Sequence, residues 1–263
     1  MTGSRILLQA FLLIASLGLL PGAAIAQGNF EIQVYGSETV PAGATMIELH
    51  SNTAIQGSTK VENGVLPTQH AVHETLEITR GWTSWFETGF YIFTSVQTEG
   101  PDQQYWWVGD HIRPRVRAPE EWKLPVGLSL SLEVGYQQKE FSPDTWTLEI
   151  RPIMDKQIGP WYFAINPAFE QSLKGPGTNT GIEFTPAAKI SYDLTKVVSL
   201  GVEYYGTLGP VGNFPPGPQQ EHQLFGVVDL NLDPRWEINF GLGGGLTRST
   251  DGFTIKMILG RRF

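Results

Sequence analysis

The stretch FTIKMILGRRF at residues 253–263 alternates between apolar and polar side chains. Successive side chains of a β-strand point to opposite faces, so this stretch has one apolar face and one largely polar face. Phe253, Ile255, Met257 and Leu259 form the apolar face, and Thr254, Lys256, Gly260 and Arg262 form the polar face. The alternation predicts a strand that separates an apolar environment from a polar one.

An alternating strand that ends on an aromatic residue resembles a known recognition signal. Bacterial outer-membrane β-barrels present such a strand to their assembly machinery. Met257, Leu259 and Phe263 carry the resemblance here. It implies two partners, the outer-membrane lipid and the barrel assembly machinery.

Residues 1–26 have the features of a cleaved secretory signal peptide. Arg5 is their only charge, and an apolar run extends from Ile6 to Leu20. Ala24-Ile25-Ala26 fits the small-residue cleavage rule. The apolar run is shorter than the ~20 residues of a membrane-spanning helix, which disfavours the alternative of an anchor. The pattern therefore predicts export and leaves Gln27 as the new terminus.

Composition excludes several classes of protein. The formal net charge of -8 disfavours nucleic acid as a partner, because phosphates attract lysine and arginine. The absence of cysteine excludes disulfides and thiolate metal sites. No later stretch is apolar enough for a membrane helix, so any membrane span must consist of strands. We find no motif for a cofactor or a metal, and we predict neither.

Alternating segments recur along the mature chain, with Gly, Pro, Asn, Asp and Ser between them. This is the per-segment pattern of a transmembrane β-barrel. It predicts an all-β fold, a single antiparallel barrel of about twelve strands at residues 44–263. The predicted strands are 44–53, 70–79, 84–96, 106–117, 125–137, 144–154, 160–171, 180–192, 196–206, 220–231, 235–247 and 252–263.

Two further patterns support a barrel in the bacterial outer membrane over a soluble sandwich or lipocalin-like barrel. With both chain ends in the periplasm, the periplasmic connections are short and the outer connections mostly longer. All eight tryptophans lie at predicted strand ends or turns, where indole rings favour the membrane interface. They are Trp82, Trp85, Trp122, Trp161 and Trp236 at the periplasmic ends, and Trp106, Trp107 and Trp146 at the outer ends.

Some residues fit this pattern less well. Pro114, Pro152, Pro167 and Pro186 lie within predicted strands, where each removes a ladder donor, so we expect bulges or bends there. Phe30, Ile32 and Val34 alternate only briefly. Residues 27–43 are therefore predicted to form a separate N-terminal segment, either a periplasmic cap or a plug in the lumen.

The polar faces of the strands predict which side chains line the lumen. The candidate solute path comprises charged groups from several strands: His111, Arg113, Arg115, Arg117, Glu133, Glu149, Arg151, Glu183 and Lys189. One interpretation is a structural network of paired charges that stiffens the wall. The other is a conduction path in which the arginine row sets charge preference. Tyr91, Tyr162 and Tyr205 also have inward parity.

Catalysis is poorly supported by the sequence, and we predict that the protein is not an enzyme. Outer-membrane phospholipases use a serine and a histidine on the outer wall. His50 and Ser51 are adjacent here, and adjacent residues of a strand point to opposite faces.

A family resemblance follows from the C-terminal region. Gly241 to Thr247, then Asp251-Gly252, then Lys256 to Phe263 resemble the end of outer-membrane proteins of the meta-pathway-of-phenol-degradation or "transporter" family. The resemblance implies a passive channel or binding site for small solutes, including aromatic or hydrophobic ones. Two alternatives remain open: a closed structural or surface-interaction barrel, and an outer-membrane lipid-modifying enzyme.

Overall fold

The computed structural model describes residues 30–98 and 103–263. The predicted signal peptide, residues 1–26, lies outside the described residues. Between Phe30 and Phe263, outside the gap at 99–102, no helix has the length and apolar character needed to cross a bilayer.

Twelve long strands and one short one make up a single sheet. All are antiparallel to their neighbours. Their bounds are β1 Thr45–Gln56, β2 Val72–Gly81, β3 Phe86–Gln97, β4 Gln104–Arg117, β5 Gly127–Gln137, β6 Trp146–Ile158, β7 Trp161–Lys174, β8 Glu183–Asp193, β9 Val198–Thr207, β10 Gly209–Pro210, β11 Glu221–Leu230, β12 Trp236–Gly245 and β13 Phe253–Arg262.

The sheet closes into a barrel, which confirms the predicted fold. Strand β1 pairs with both β2 and β13, and β8 pairs with β9 to complete the circle. The two-residue β10 only extends the edge of β8. Closure gives every long strand two neighbours, so no row of backbone donors and acceptors faces lipid, where it would find no partner.

Burial is inverted relative to a soluble protein. Leu49, Met257 and Leu259 are each more than a third exposed, whereas Lys256 is completely buried. The alternation in β1 has the same sense, because Glu48 and His50 are buried and Ile47 is exposed. The apolar face therefore forms the outer surface, as predicted, and the ionisable side chains fill the lumen.

One end of the barrel carries the start of β1 and the end of β13, and its connections are short. They are residues 82–85, 118–126, 159–160, 194–197 and 231–235. The connections at the other end are mostly longer: 57–71, 98–103, 138–145, 175–182, 208–220 and 246–252. In outer-membrane barrels the short turns are periplasmic. We therefore name the two ends periplasmic and outer.

All eight tryptophans lie at strand ends or turns, as predicted, but the side chain of Trp106 points inward. A register shift between β3 and β4 leaves Val108 without a partner, and Val108 and Gly109 are both buried. The bulge reverses the alternation at the outer end of β4, so Trp107 points outward and Trp106 points inward. Trp106 packs against Phe141 inside the barrel mouth, with a ring separation of 5.8 Å.

The prolines interrupt pairing without shifting the register, so the expectation of bulges at these positions was wrong. Pairing between β4 and β5 skips Pro114 and resumes in the same register. Pairing between β6 and β7 skips Pro152 and Pro167 in the same way. Pro167 lies opposite Pro186, so both missing donors fall at one paired position. The hydrogen-bond ladder between the strands tolerates the missing N–H donors because they are concentrated at a few positions.

The N-terminal segment, residues 30–41, lies inside the barrel. Phe30 packs with Tyr91, Phe93 and Phe141 in the outer half of the lumen. At the periplasmic end the backbone of the segment passes close to Gly81 as it leaves the lumen. A Cβ at Gly81 would lie 2.1 Å from the carbonyl oxygen of Val40, so a side chain there would block the exit.

Candidate functional site

The predicted arginine row faces the lumen. His111, Arg113 and Arg115 are buried on β4, and Arg117 is partly exposed at the periplasmic end. The Arg117 Nη2 atom lies 3.5 Å from a carboxylate oxygen of Glu120 in the following turn. The row therefore runs from the middle of the lumen to its periplasmic mouth.

Two arginines of this row bind acidic residues of β2 and β3. Arg113 Nη2 lies 2.6 Å from Glu77 Oε1 and 3.5 Å from Glu87 Oε1. Arg115 Nη1 lies 3.6 Å from the same Glu87 oxygen. His111 Nδ1 lies 2.6 Å from Glu133 Oε1. Such pairs stabilise buried charges that would otherwise be costly.

Arg115 also binds the N-terminal segment. Its Nη2 atom donates to the backbone carbonyls of Gly36 and Glu38, at 2.5 Å each. The carboxylate of Glu87 accepts from the backbone N–H of Val40 at 2.6 Å. The wall thus holds the segment by its backbone at the periplasmic end.

Similar contacts follow the segment towards the outer end. Asn166 accepts from the Tyr35 N–H and donates to the Tyr35 carbonyl. Lys256 Nζ donates to the Ile32 carbonyl at 2.9 Å, and Thr75 Oγ1 donates to the Phe30 carbonyl at 2.7 Å. Buried backbone groups require partners, and here lumenal side chains supply them in place of a neighbouring strand.

Tyr35 lies at the centre of the lumen. The guanidinium groups of Arg113 and Arg151 each lie 4.9 Å from the centre of its ring. Its hydroxyl donates to Glu31, and Arg151 Nη1 lies 3.7 Å from Glu31 Oε1. The aromatic ring beside two cations therefore joins the segment to β4 and β6 of the wall.

Four glutamates lie in register on adjacent strands. Glu133 of β5 is opposite Glu149 of β6, Glu149 is opposite Glu170 of β7, and Glu170 is opposite Glu183 of β8. Like charges placed directly opposite each other destabilise a sheet. Arg151 offsets part of the charge by donating to both carboxylate oxygens of Glu149. We refer to these four residues as the glutamate ladder.

A second buried network lies on the other side of the lumen. Lys189 Nζ lies 3.0 Å from Glu203 Oε1 and 2.8 Å from Asp229 Oδ2. Lys256 also donates to Glu203. Lys189 is thus part of a paired network in the wall.

Cavities lie on both sides of the segment. The larger, about 970 Å³, is lined by residues of the segment's periplasmic half together with Arg115, Arg117 and Glu237. The smaller, about 110 Å³, is lined by Glu31 and by the glutamate ladder. The segment separates a periplasmic vestibule from an acidic space in the outer half.

The lipid-facing surface also contains polar groups. Ser51 donates to Glu74 at 2.6 Å on the outer surface, which gives this outward carboxylate a partner. His50 is buried on the opposite face. The side chains of His50 and Ser51 therefore point to opposite sides of the wall, as the alternation predicted.

The sequence analysis missed the residues that hold the segment. Asn166 was not singled out, and Glu31 and Tyr35 were given no role. The only signal in the sequence was the short alternation at Phe30, Ile32 and Val34. Phe30 and Ile32 do pack into two separate apolar clusters inside the barrel.

The fold is shared with solved outer-membrane proteins. An outer membrane channel from Pseudomonas putida F1 superposes with a TM-score of 0.61 at 11% identity, covering 89% of this chain and 100% of that chain. This chain has the fold of a bacterial outer-membrane β-barrel. The NanC porin has a TM-score of 0.50 at 8% identity and covers 81% of this chain and 97% of its own.

These similarities show the fold, and the exposed apolar surface agrees with a place in the outer membrane. No family model matches the sequence, and no curated protein matches it. Membership of the meta-pathway-of-phenol-degradation or "transporter" family therefore stays a prediction.

Proposed function

We propose that this barrel is a passive channel for small solutes and that residues 30–41 close its lumen in the conformation described. The observation that carries the proposal is the position of this segment between two lumenal cavities. Its backbone is bound by side chains of the wall rather than by a strand, so it can leave without breaking the barrel.

We further propose that the glutamate ladder makes the open path selective for cations. Carboxylates that face a narrow lumen raise the local concentration of cations. Arg113 and Arg115 do not cancel this charge, because they are paired with Glu77 and Glu87 or bound to the segment. Arg115 then anchors the segment, and the positive charges of Arg117, Lys189 and Arg151 modify the electric field along the path.

Aromatic or hydrophobic solutes are the solute class that we propose. Once the segment leaves, Tyr91, Phe93 and Phe141 lose the cover of Phe30. Their apolar surface would then line the outer half of the path. Catalysis forms no part of this proposal.

A reducible cross-link tests whether the segment closes the path. A Cβ built on Gly127 lies 3.1 Å from the Cβ of Ser37, near the spacing of about 3.8 Å that a disulfide requires. The chain contains no cysteine, so Ser37→Cys with Gly127→Cys creates a single pair. We expect no conductance in a planar bilayer after oxidation, and discrete openings after reduction.

The two single-cysteine variants serve as controls, and their conductance should not respond to oxidant. Equal conductance in the oxidised and reduced states, with the disulfide verified by mass, contradicts closure by this segment. If the reduced protein and the Arg115→Ala variant are both silent although folded, the alternative of a closed structural barrel is favoured.

A further inference from the structure

A cluster of unpartnered polar atoms lies in the wall near the segment. Glu48 and His50 lie two residues apart on β1 and face the lumen together, and Glu77 of β2 is directly opposite Glu48. All three side chains are buried. Potential metal-binding atoms from the three residues lie within 4.8 Å of one another.

The unpartnered atoms point to a missing ligand. Both ring nitrogens of His50, one oxygen of Glu48 and one oxygen of Glu77 are buried without a hydrogen-bond partner. The His50 Nε2 atom is 3.6 Å from Glu77 Oε2, which is too long for a hydrogen bond. Two donors bound to one tetrahedral zinc ion at ~2.1 Å lie about 3.4 Å apart, so this separation fits a shared ion.

The local charge also favours a cation. A third carboxyl group, that of Glu237, lies within hydrogen-bonding reach of Glu48. In the chain from 30 to 98 and from 103 onward, no lysine or arginine forms an ion pair with Glu48 or Glu237. Arg113 is shared between Glu77 and Glu87.

Gly260 makes this arrangement possible. It lies on β13 between Glu48 and Glu237 and is paired with both. A Cβ at Gly260 would lie 2.7 Å from Glu48 Cγ and 3.2 Å from Glu237 Cβ. The absence of a side chain thus lets two carboxylates from alternate strands approach across β13.

From these observations we infer that Glu48, His50 and Glu77 bind a divalent transition-metal ion, with zinc as the best fit. One imidazole nitrogen and two carboxylate oxygens are ligands that zinc accepts, with water free to complete the shell. An ion reaches the site from the periplasmic vestibule, whose lining includes Glu48, Glu77 and Glu237. The site is independent of whether the barrel conducts solutes.

Equilibrium dialysis of the chelator-treated, folded barrel against zinc chloride tests the inference. We expect one zinc ion per barrel, and an affinity at least about tenfold lower in the His50→Ala variant. His73→Ala is the matched control, because His73 is also a buried histidine with two unpartnered nitrogens. Cobalt in place of zinc should give a visible absorption spectrum that His50→Ala changes and His73→Ala does not.

Folding is checked by the heat-dependent gel mobility of each variant. If His50→Ala does not fold, Glu48→Gln removes one ligand charge at nearly constant volume and should give the same loss of affinity. The inference is overturned if the wild-type barrel takes up no zinc. It is equally overturned if His50→Ala or Glu48→Gln binds zinc as tightly as His73→Ala does.

Discussion

Asn166 and Tyr35 exchange two hydrogen bonds across the lumen. The Tyr35 N–H donates to Asn166 Oδ1 at 2.7 Å, and Asn166 Nδ2 donates to the Tyr35 carbonyl at 2.9 Å. The amide side chain takes the place of a backbone unit on a paired strand. A segment that runs inside a closed barrel has no strand to pair with, so lumenal side chains of this kind hold it.

Asn166→Ala should loosen the N-terminal segment. The substitution leaves two buried backbone groups of Tyr35 without partners, each at a cost of about 1–3 kcal/mol. We expect more frequent channel openings in planar bilayers and faster proteolysis within residues 30–41. Asn239→Ala is the control, because Asn239 is also lumenal but donates to Asp229 of the wall. Indistinguishable openings in the two variants would count against the proposed role of Asn166.

Glu183→Gln should reduce the cation preference of the open channel. Glu183 ends the glutamate ladder and lines the smaller cavity, so the substitution removes one negative charge from the proposed path. The reversal potential in a salt gradient should move toward zero. Glu74→Gln removes a carboxylate from the lipid-facing side and should leave the reversal potential unchanged. A shift of equal size in both variants would show that the ladder does not line the path.

Lys256→Met should destabilise the barrel. The substitution removes a buried cation from Glu203 and a donor from the Ile32 carbonyl. Breaking a buried ion pair costs about 3–5 kcal/mol of folding free energy. We expect a cost near the lower value, because Glu203 keeps Lys189 as a partner. Denaturant unfolding followed by tryptophan fluorescence measures the change. Lys196→Met in an exposed turn should change stability little, and an equally small effect of Lys256→Met would contradict the prediction.

Phe263→Ala should impair assembly in cells more than stability. The Phe263 side chain is exposed, and its backbone, which the substitution keeps, pairs with Thr45 at the β1–β13 seam. We therefore expect less folded barrel in the outer membrane but normal refolding into detergent. Heat-dependent gel mobility measures both quantities. The proposed assembly signal of Met257, Leu259 and Phe263 is rejected if yield in cells does not change.

Arg235→Ala should change the titration of Asp233 in a periplasmic turn. Hydrogen bonds from Arg235 lower the pKa of Asp233 from 3.8 to about 2. Because the folded-state pKa is depressed, any contribution of this pair to stability is present above pH 3.8 and is lost as the pH falls through about 2. The variant should return the pKa toward 3.8 in an NMR titration. Lys60→Ala, at a distant exposed position, should leave it unchanged.

The barrel itself was predictable from residues such as Leu49, Met257 and Lys256. Period-two alternation indicates which face of a strand meets lipid, and each strand shows it in its own sequence. All twelve long strands were therefore predicted to within about four residues at each end. The inward direction of Trp106 was not predictable, because the bulge that reverses the alternation has no signature in the composition.

The same alternation predicted that the ionisable side chains face the lumen. It could not show which of them meet, because pairing depends on the register between strands that are distant in sequence. Register sets Glu133, Glu149, Glu170 and Glu183 in one ladder, and Gly260 brings Glu48 close to Glu237.

Sequence alone thus determined the fold, the membrane environment and the inward set of charges, since each follows from local periodicity. Only the tertiary structure decided the position of residues 30–41. Their contacts with Asn166, Arg115 and Lys256 join residues more than seventy positions apart. Such contacts form only after the barrel closes around the segment, and no local pattern encodes them.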